Sequence, residues 1–481
     1  MGVSSGGVSN YVNTSSGIAT GVCAANGVSG GGVYVDIGFS PLSLFADGAF
    51  GFWHDYTDPA TWFQDTAGTT PATALGDPVG RVNDKSGNSI TGLQATSAAR
   101  PTYGRMPLGG VRNQITFSED LTNAAWTKLR VTAASATNIV ETITLGSHAI
   151  STPFVSTSGS EYTTTVTLEK GVLATAPTFM EILYSTNGFG SVQYAIVNVE
   201  TGAVVSTAGG ATCTSAADPL TPSGFRFSYT ATALSTASAG FNVQFCDNNP
   251  AAVRAPSYLG VTTSDCSVYR VQVEQASSAT AYQKVVQAYD VTESGVASVD
   301  ALWFDGVDDF LDLTAAGAGL ARNTGRFTEF ASGLHTKALT STQAQFAATM
   351  SASAATRASI GGTATNFTYV QARRTAADAY APLLEFAAFP FIPYIRTGVL
   401  SYATGLGELR VDGVLVDSDA TFFTVGNTED SDSQNIYVAR ASAAYFGGFM
   451  TGVITVKATA LSESQLLQTE QYLGNQIGVT I

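Results

Sequence analysis

The feature that most constrains this chain is a run of short segments that alternate in polarity. "YTTTVTLEKG", "FMEILYST", "VQYAIVNVETG", "FRFSYTATAL", "GFNVQFCD" and "SVYRVQVEQ" all lie between about Arg112 and Val285, separated by clusters of Gly, Ser, Asn or Pro. Period two is the spacing of a strand with one buried face, and a helical stripe cannot be drawn through it. Short strands with a turn about every ten residues imply a sandwich or jelly roll. A second β series runs on to about Lys457, and within it "GELRVDGVLVDS" carries Asp412-Gly413 as a two-residue hairpin turn. The fold class is all-β.

At 481 residues the chain exceeds one ordinary core, so two or three domains are expected. Hydrophobic residues make up 44% and charged residues only 12%, so Ser, Thr, Asn, Gln and Gly must cover much of the surface. The net charge of −15 argues against phosphate backbones and anionic membrane surfaces as partners. No apolar run is long enough to span a bilayer. "MGVSSGGVSNYVNTSSG" lacks the basic start and apolar middle of a secretory signal, and Gly6 stands where myristoylation wants Ser or Thr. The expectation is a protein made in the cytoplasm. Cys23, Cys213, Cys246 and Cys266 are scattered without a C-x-x-C, which excludes a zinc ribbon and favours free thiols over a Cys246–Cys266 bridge.

Residues 1–40 are rich in Gly, Ser, Val and Asn and nearly uncharged, too sticky for a solvated linker and too small for a core of their own. They read as an arm that becomes ordered against another chain. From Pro41 aromatics become dense. Asp58-Pro59 is an N-cap followed by proline at the first helical position, and Lys85-Ser86-Gly87-Asn88 is a hairpin or tight loop. "ALSESQLLQTEQYLGNQIG" is the clearest helix. Ser462 and Gln465 form a capping box, Leu466, Leu467, Leu473 and Ile477 make an apolar face, and Gly474 and Gly478 stop it.

Two sets of residues carry resemblances. "LFADGAFGFWHDYTDPATWFQDTAGTTP", "VNDKSGN", "LWFDGVDDFLDL", "LRVDGVLV" and the C-terminal "IYVARASAAYFGGFMTGVITVKATALSESQLLQTEQYLGNQIGVTI" resemble, in that order, the laminin-G-like (concanavalin-type) β-sandwich of phage and prophage structural proteins. Between the second and third pieces, "RNQITFSEDLTNAAWTK", "YTTTVTLEKG" and "YRVQVEQASSATAYQKV" resemble the carbohydrate-binding-module-like jelly roll of phage tail fibres and gene-transfer-agent head spikes. Together they cover nearly everything after residue 40. They imply a laminin-G-like sandwich split into 41–111 and 286–481, the second part ending in the helix, with a jelly roll at 112–285 inserted between. An insertion of this kind needs a surface loop whose two ends lie close together.

Several residues are candidates for a site. In "FDGVDDFLDL" (304–313), Asp305-Gly306 suits a tight turn, after which Phe310 and Asp312 share one face and Leu311 and Leu313 the other. Vicinal Asp308 and Asp309 are a candidate calcium pair, against the simpler reading of a turn entering a strand; the acidic "NTEDSDSQN" (427–435) is a weaker one. His54, His148 and His335 fall in no catalytic motif, and His54 in "FWHDY" reads as a core histidine. No carboxylate pair stands out as a glycosidase dyad. For sugar contact the candidates are Tyr184, Asn187, Phe189 and Tyr194 around "STNGFGS", whose alternative reading is a plain hairpin tip, and Trp126 in "NAAWTK", whose alternative role by resemblance is packing the first strand of the jelly roll.

The resemblance implies a virion structural protein, a fibre or spike subunit of a tailed phage or gene transfer agent. It would bind host cell-surface polysaccharide, join other virion proteins through its arm, and form a homo-oligomer, a trimer by analogy. No cofactor is required, a structural calcium at Asp308 and Asp309 being a candidate only, and neither nucleic acid nor membrane insertion is involved. A decoration or cement protein without a receptor role is the alternative, and a polysaccharide depolymerase the second.

Overall fold

A computed structural model describes residues 38–336, 343–350, 356–363, 367–375, 378, 384–387, 391–429, 434–441 and 444–481. Residues 1–37 of the N-terminal arm, with Cys23, and residues 430–433 of the acidic loop lie outside them. The chain divides into two units, Met1–Gly38 and Phe39–Ile481, and the described strands and helices all belong to the second.

Four large sheets hold most of the described strands. The first has ten strands: Gln283–Gln287, Asp290–Glu293, Thr102–Pro107, Ser298–Asp305, Gly447–Lys457, Phe327–His335, Tyr394–Ser401, Leu406–Val411 and Val414–Asp419 in spatial order, with Gly51–Asp55 also paired to Gly447–Lys457. We call it the helix-side sheet. Facing it is a nine-stranded groove-side sheet: Trp62–Phe63, Arg81–Val82, Gly92–Leu93, Leu311–Asp312, Gln434–Val438, Gln343–Met350, Thr356–Gly362, Phe367–Ala372 and Leu384–Ala387. Phe52, Trp62, Phe304, Phe346, Ile360 and Ile436 fill the space between them. On the far side of the helix-side sheet, Trp53, Phe330 and Ile454 meet Leu466, Leu473 and Ile477 of the C-terminal helix Glu463–Ile477. The strand Gly447–Lys457 is therefore covered on both faces and buried except at Lys457. That is why "GGFMTGVITVK" reads as an apolar run rather than an alternation.

The helix begins at the capping box of Ser462 and Gln465. Two readings of it are corrected. Leu467 is 38% exposed, turned off the face that Leu466, Leu473 and Ile477 bury. Gly474 lies inside the helix; only Gly478, at φ +76°, ends it. A Cβ on Gly474 would come within 2.7 Å of the Val479 carbonyl oxygen, so glycine there lets the tail fold back. Buried Glu470 fastens the helix to the sheet by accepting from Arg410 Nε at 3.0 Å and Thr397 Oγ1 at 2.7 Å.

Residues 127–274 build two further sheets of six strands each. The first orders Val204–Ala208, Tyr194–Asn198, Phe179–Tyr184, Ala237–Phe245, Ala149–Ser156 and Thr127–Leu129; the second orders Thr212–Ala217, Phe225–Thr232, Glu161–Lys170, Asp265–Glu274, Asn138–Glu141 and Val131–Ser135. Trp126, Tyr162, Tyr184, Phe189, Phe227, Tyr229 and Phe241 pack between them. The segments crossing between the two sandwiches are stitched by buried side chains. Gln283 Oε1 accepts from the backbone N–H of Arg112 (2.7 Å) and Asn113 (2.8 Å), and Asn113 Nδ2 donates to the carbonyls of Val271 and Gln283, both at 3.0 Å. Gln283–Gln287 pairs into the helix-side sheet, so this strand straddles residue 285.

The local readings hold at several turns. Asp58 accepts from Ala60 N–H ahead of the short helical turn Pro59–Thr61. Asp412 and Gly413 both take positive φ (47° and 80°) between their strands, the geometry a two-residue hairpin needs. His54 is fully buried, its ring 2.7 Å from the Ile90 carbonyl oxygen and 3.1 Å from Tyr56 Oη. Cys213, Cys246 and Cys266 are free thiols.

Candidate functional site: a groove on the outer sandwich

The groove-side sheet turns a row of side chains outward. Arg81 stands opposite Leu93, Leu93 opposite Asp312, and Asp312 opposite Tyr437. Directly opposite residues in a sheet share a face, and the neighbours Val82, Leu311 and Val438 point into the core. Above this row lies a groove of about 660 Å³, bordered by Ser89, Thr91 and Gln94 on one side and by Phe310, Thr314 and Ala316 on the other.

The walls are held by local chemistry. The loop 83–91 is organised by one carboxylate. Asp84 Oδ1 accepts from Trp53 N–H (3.0 Å) and Ser86 N–H (2.8 Å), and Oδ2 from Ser86 Oγ (2.7 Å) and Ile90 N–H (2.9 Å). Asn88 Nδ2 ties the same loop to the carbonyls of Ala49 and Gly51. Across the groove, Gln94 Nε2 donates to the Phe310 carbonyl (3.2 Å), and Phe310 N–H to that of Ala99 (3.3 Å). Phe310 meets Tyr437 edge-on at 5.5 Å, and the Arg440 guanidinium sits 4.7 Å from the Phe310 ring, 4.9 Å from Tyr437 and 5.4 Å from Tyr445. Phe310 is thereby a braced, half-buried ring beside the Asp312 carboxylate, which accepts from Thr314 N–H at 2.7 Å. A flat apolar face next to hydroxyls and a carboxylate suits a sugar, whose CH face stacks while its hydroxyls hydrogen-bond.

The aspartates before Phe310 make a turn. Asp305 Oδ1 accepts from Val307 N–H (2.7 Å) and Asp308 N–H (3.3 Å), while Asp309 Oδ2 accepts from Asp305 N–H (2.9 Å). Asp305 joins the expected pair Asp308 and Asp309, and one carboxylate oxygen of each lies within 4.8 Å of the others. One oxygen from each of three carboxylates is at most half of the roughly six to eight oxygens that calcium takes, and two of these three carboxylates already accept bonds in the turn.

The candidates in the inserted sandwich are placed differently. Tyr184 and Phe189 are fully buried with ring centroids 4.3 Å apart, and Trp126 is 1% exposed with Nε1–H donating to the Phe117 carbonyl. None offers a face to a sugar, so all three are corrected to core residues. The turn between Tyr184 and Tyr194 is pinned: Asn187, though exposed, donates through Nδ2 to the Ser238 carbonyl at 2.6 Å, and Gly190 N–H bonds Thr186 O at 3.1 Å. Tyr194 is half-buried against Ile196 and Cys246. Parity along "FMEILY" held the signal: Tyr184 shares a face with Met180 and Ile182, opposite Glu181. Within the groove, the alternation around "FLDL" marked Phe310 and Asp312. Arg81 and Leu93 sit in two-residue strands too short to show a period, and Gln94 reaches Phe310 across 216 residues.

No protein-family model and no curated protein matches the chain. Solved structures similar to parts of it include the Ruminococcus gnavus IT-sialidase CBM40 (13% identity, 35% of this chain and 96% of that one, TM-score 0.31). The leech intramolecular trans-sialidase matches at 16% identity over 38% of this chain and 27% of its own (TM-score 0.28). A SAP-like pentraxin from Limulus polyphemus matches at 13% identity over 31% and 70% (TM-score 0.23). Likenesses of this size carry no functional conclusion.

Proposed function

We propose that this chain binds host surface polysaccharide through the Phe310 groove, as a non-catalytic structural subunit on the surface of a tailed phage or gene transfer agent. The single observation that carries the binding reading is the braced Phe310 ring beside Asp312 at the rim of an open groove lined by Thr91 and Thr314. Asp312 is the one carboxylate among the groove's described lining residues, whereas glycoside hydrolysis by the common route uses two. A shallow site of this kind binds weakly by itself, so several copies on one particle would supply the avidity. The Gly-rich arm, residues 1–40, is the segment proposed to join the particle and to clasp the oligomer.

The test is a glycan array of host capsule and lipopolysaccharide fragments, run with the wild-type protein and with Phe310→Ala and Asp312→Ala. Binding by the wild type that falls about tenfold in Phe310→Ala, with no reducing ends released over hours, is the expected result. Released oligosaccharides would make the protein a depolymerase. No binding to any glycan would leave the cement role.

A further inference from the structure

The outer face of the inserted sandwich's first sheet is covered by a piece of its own chain. After Ala237–Phe245, residues 246–260 ("CDNNPAAVRAPSYLG") run back over that face, burying Cys246 and Ala252 against Ile196, with Phe179 and Tyr194 partly buried beside them. The segment has little regular structure, a two-residue strand Tyr258–Leu259 being its one element. Asp247, Asn248 and Ala255 take left-handed φ of 54°, 52° and 54° without being glycine. Asp and Asn adopt such backbone readily in turns, whereas at Ala255 it persists only where surrounding contacts hold it.

Those contacts are a set of discrete catches. Asn248 Oδ1 accepts from Thr178 N–H (2.8 Å), and Arg254 Nη2 donates to the Tyr184 carbonyl (2.7 Å). Tyr258 Oη donates to Glu141. Both oxygens of Glu181 accept from the strained Ala255 N–H, at 3.0 and 3.2 Å. Glu181 stands opposite Gln244 on the covered face, and both are buried. Two polar atoms at this contact are left unmatched: Gln244 Nε2 on the sheet and Arg254 Nε on the segment are buried with no hydrogen-bond partner. A covered face with unsatisfied donors costs free energy to keep closed.

We propose that residues 246–260 form a strap that unlatches from the outer face of the inserted sandwich's first sheet, with Glu181 as its pH-sensitive catch. Burial pushes the Glu181 carboxyl up to about 7, against the opposing pull of the Ala255 N–H and the Arg254 charge. The other titratable groups within its electrostatic reach are Cys246 at the end of its neighbouring strand and Tyr229 from the facing sheet; Asp247, Glu141 and Tyr258 lie next to Cys246, and His148 against Tyr258. With the strap open, Glu181 meets water and regains an ordinary carboxylate value. The closed form therefore holds the proton more tightly, and rising pH favours opening. Between pH 5.5 and 8.5 the open fraction should grow by about 30-fold.

Cys246, the first residue of the strap, is buried against Ile196 when the strap is closed and reports on it, while Cys266 in the core between the sheets reports global unfolding. Alkylation of each thiol, read by peptide mass spectrometry at pH 5.5 and 8.5, is compared between wild type and Glu181→Gln, so that the intrinsic rise in thiol reactivity cancels. The expected result is a pH-dependent gain at Cys246 about 30-fold larger in the wild type, with Cys266 unlabelled. The same pH dependence in both proteins, or Cys246 and Cys266 labelled together, would overturn the proposal. Hydrogen exchange of the wild type alone, strap amides against those of Glu161–Lys170 and corrected for intrinsic rates, reads the same opening without a substitution: strap-specific loss of protection at high pH supports it, and uniform protection overturns it.

Discussion

Phe304–Leu313 and Tyr184–Tyr194 are alike as sequences: aromatic residues beside a polar turn with glycine. Their fates are opposite. In the inserted sandwich, Tyr184 and Phe189 face the second sheet and are sealed among Phe154, Tyr162 and Tyr229. In the outer sandwich, Phe304 takes the inward position and Phe310, after the aspartate turn, is left on the outward face with Asp312. An aromatic beside a turn stays open to solvent only where no second layer covers its side of the sheet.

The largest consequence of that contrast is in stability. Phe189→Ala should lower the unfolding free energy by about 3–5 kcal/mol, whereas Phe310→Ala, with a half-exposed ring, should cost about 1 kcal/mol or less. Urea midpoints at constant m measure both. Equal losses would mean that Phe310 is a core residue and that the groove is closed in solution.

A smaller effect concerns the outer core itself. Glu329 lies fully buried between the two large sheets, and neither of its oxygens has a hydrogen-bond partner; Thr455, opposite it, also has an unpartnered Oγ1. Burial raises its pKa well above the ordinary value. The folded chain thus keeps this proton to higher pH than the unfolded chain, so the carboxyl costs little below pH 4 and progressively more as pH rises. Glu329→Gln should be stabilising by about 1–3 kcal/mol at pH 8 and nearly neutral at pH 4. A difference that stays flat across this range would show that water or a partner reaches Glu329.

The outer sandwich should also survive loss of the inserted one. Joining Arg112 to Lys284 through a short Gly/Ser linker removes 113–283 and with it the Asn113–Gln283 stitch. The remaining sandwich should fold with a midpoint within a few degrees of the intact protein, since a shorter closing loop offsets part of what is lost. If that chain is unfolded by circular dichroism while 286–481 alone is folded, the outer domain is contiguous and the split assignment fails.

The smallest expected effect is that of calcium. With Asp305 and Asp309 committed to the turn, millimolar calcium against a chelator should leave the melting temperature unchanged; a rise of several degrees that Asp308→Asn abolishes would turn the aspartate turn into a metal site.

Much of the architecture was legible because it depends on neighbours in the chain. Period-two alternation with turn residues is enough for an all-β chain, the Asp412-Gly413 hairpin follows from two residues that tolerate positive φ, and the Ser462–Gln465 box marks the start of the helix. Parity within a strand also says which residues share a face: Phe310 with Asp312, and Tyr184 with Met180. Tertiary structure alone decided which face another layer covers. That depends on partners far away in the chain, as with Gln94 bonding across 216 residues to Phe310, or a strap of fifteen residues closing over Glu181. Alternation measures the polarity of a strand's two sides, and a polar side can be roofed by its own chain just as an aromatic can be left in water.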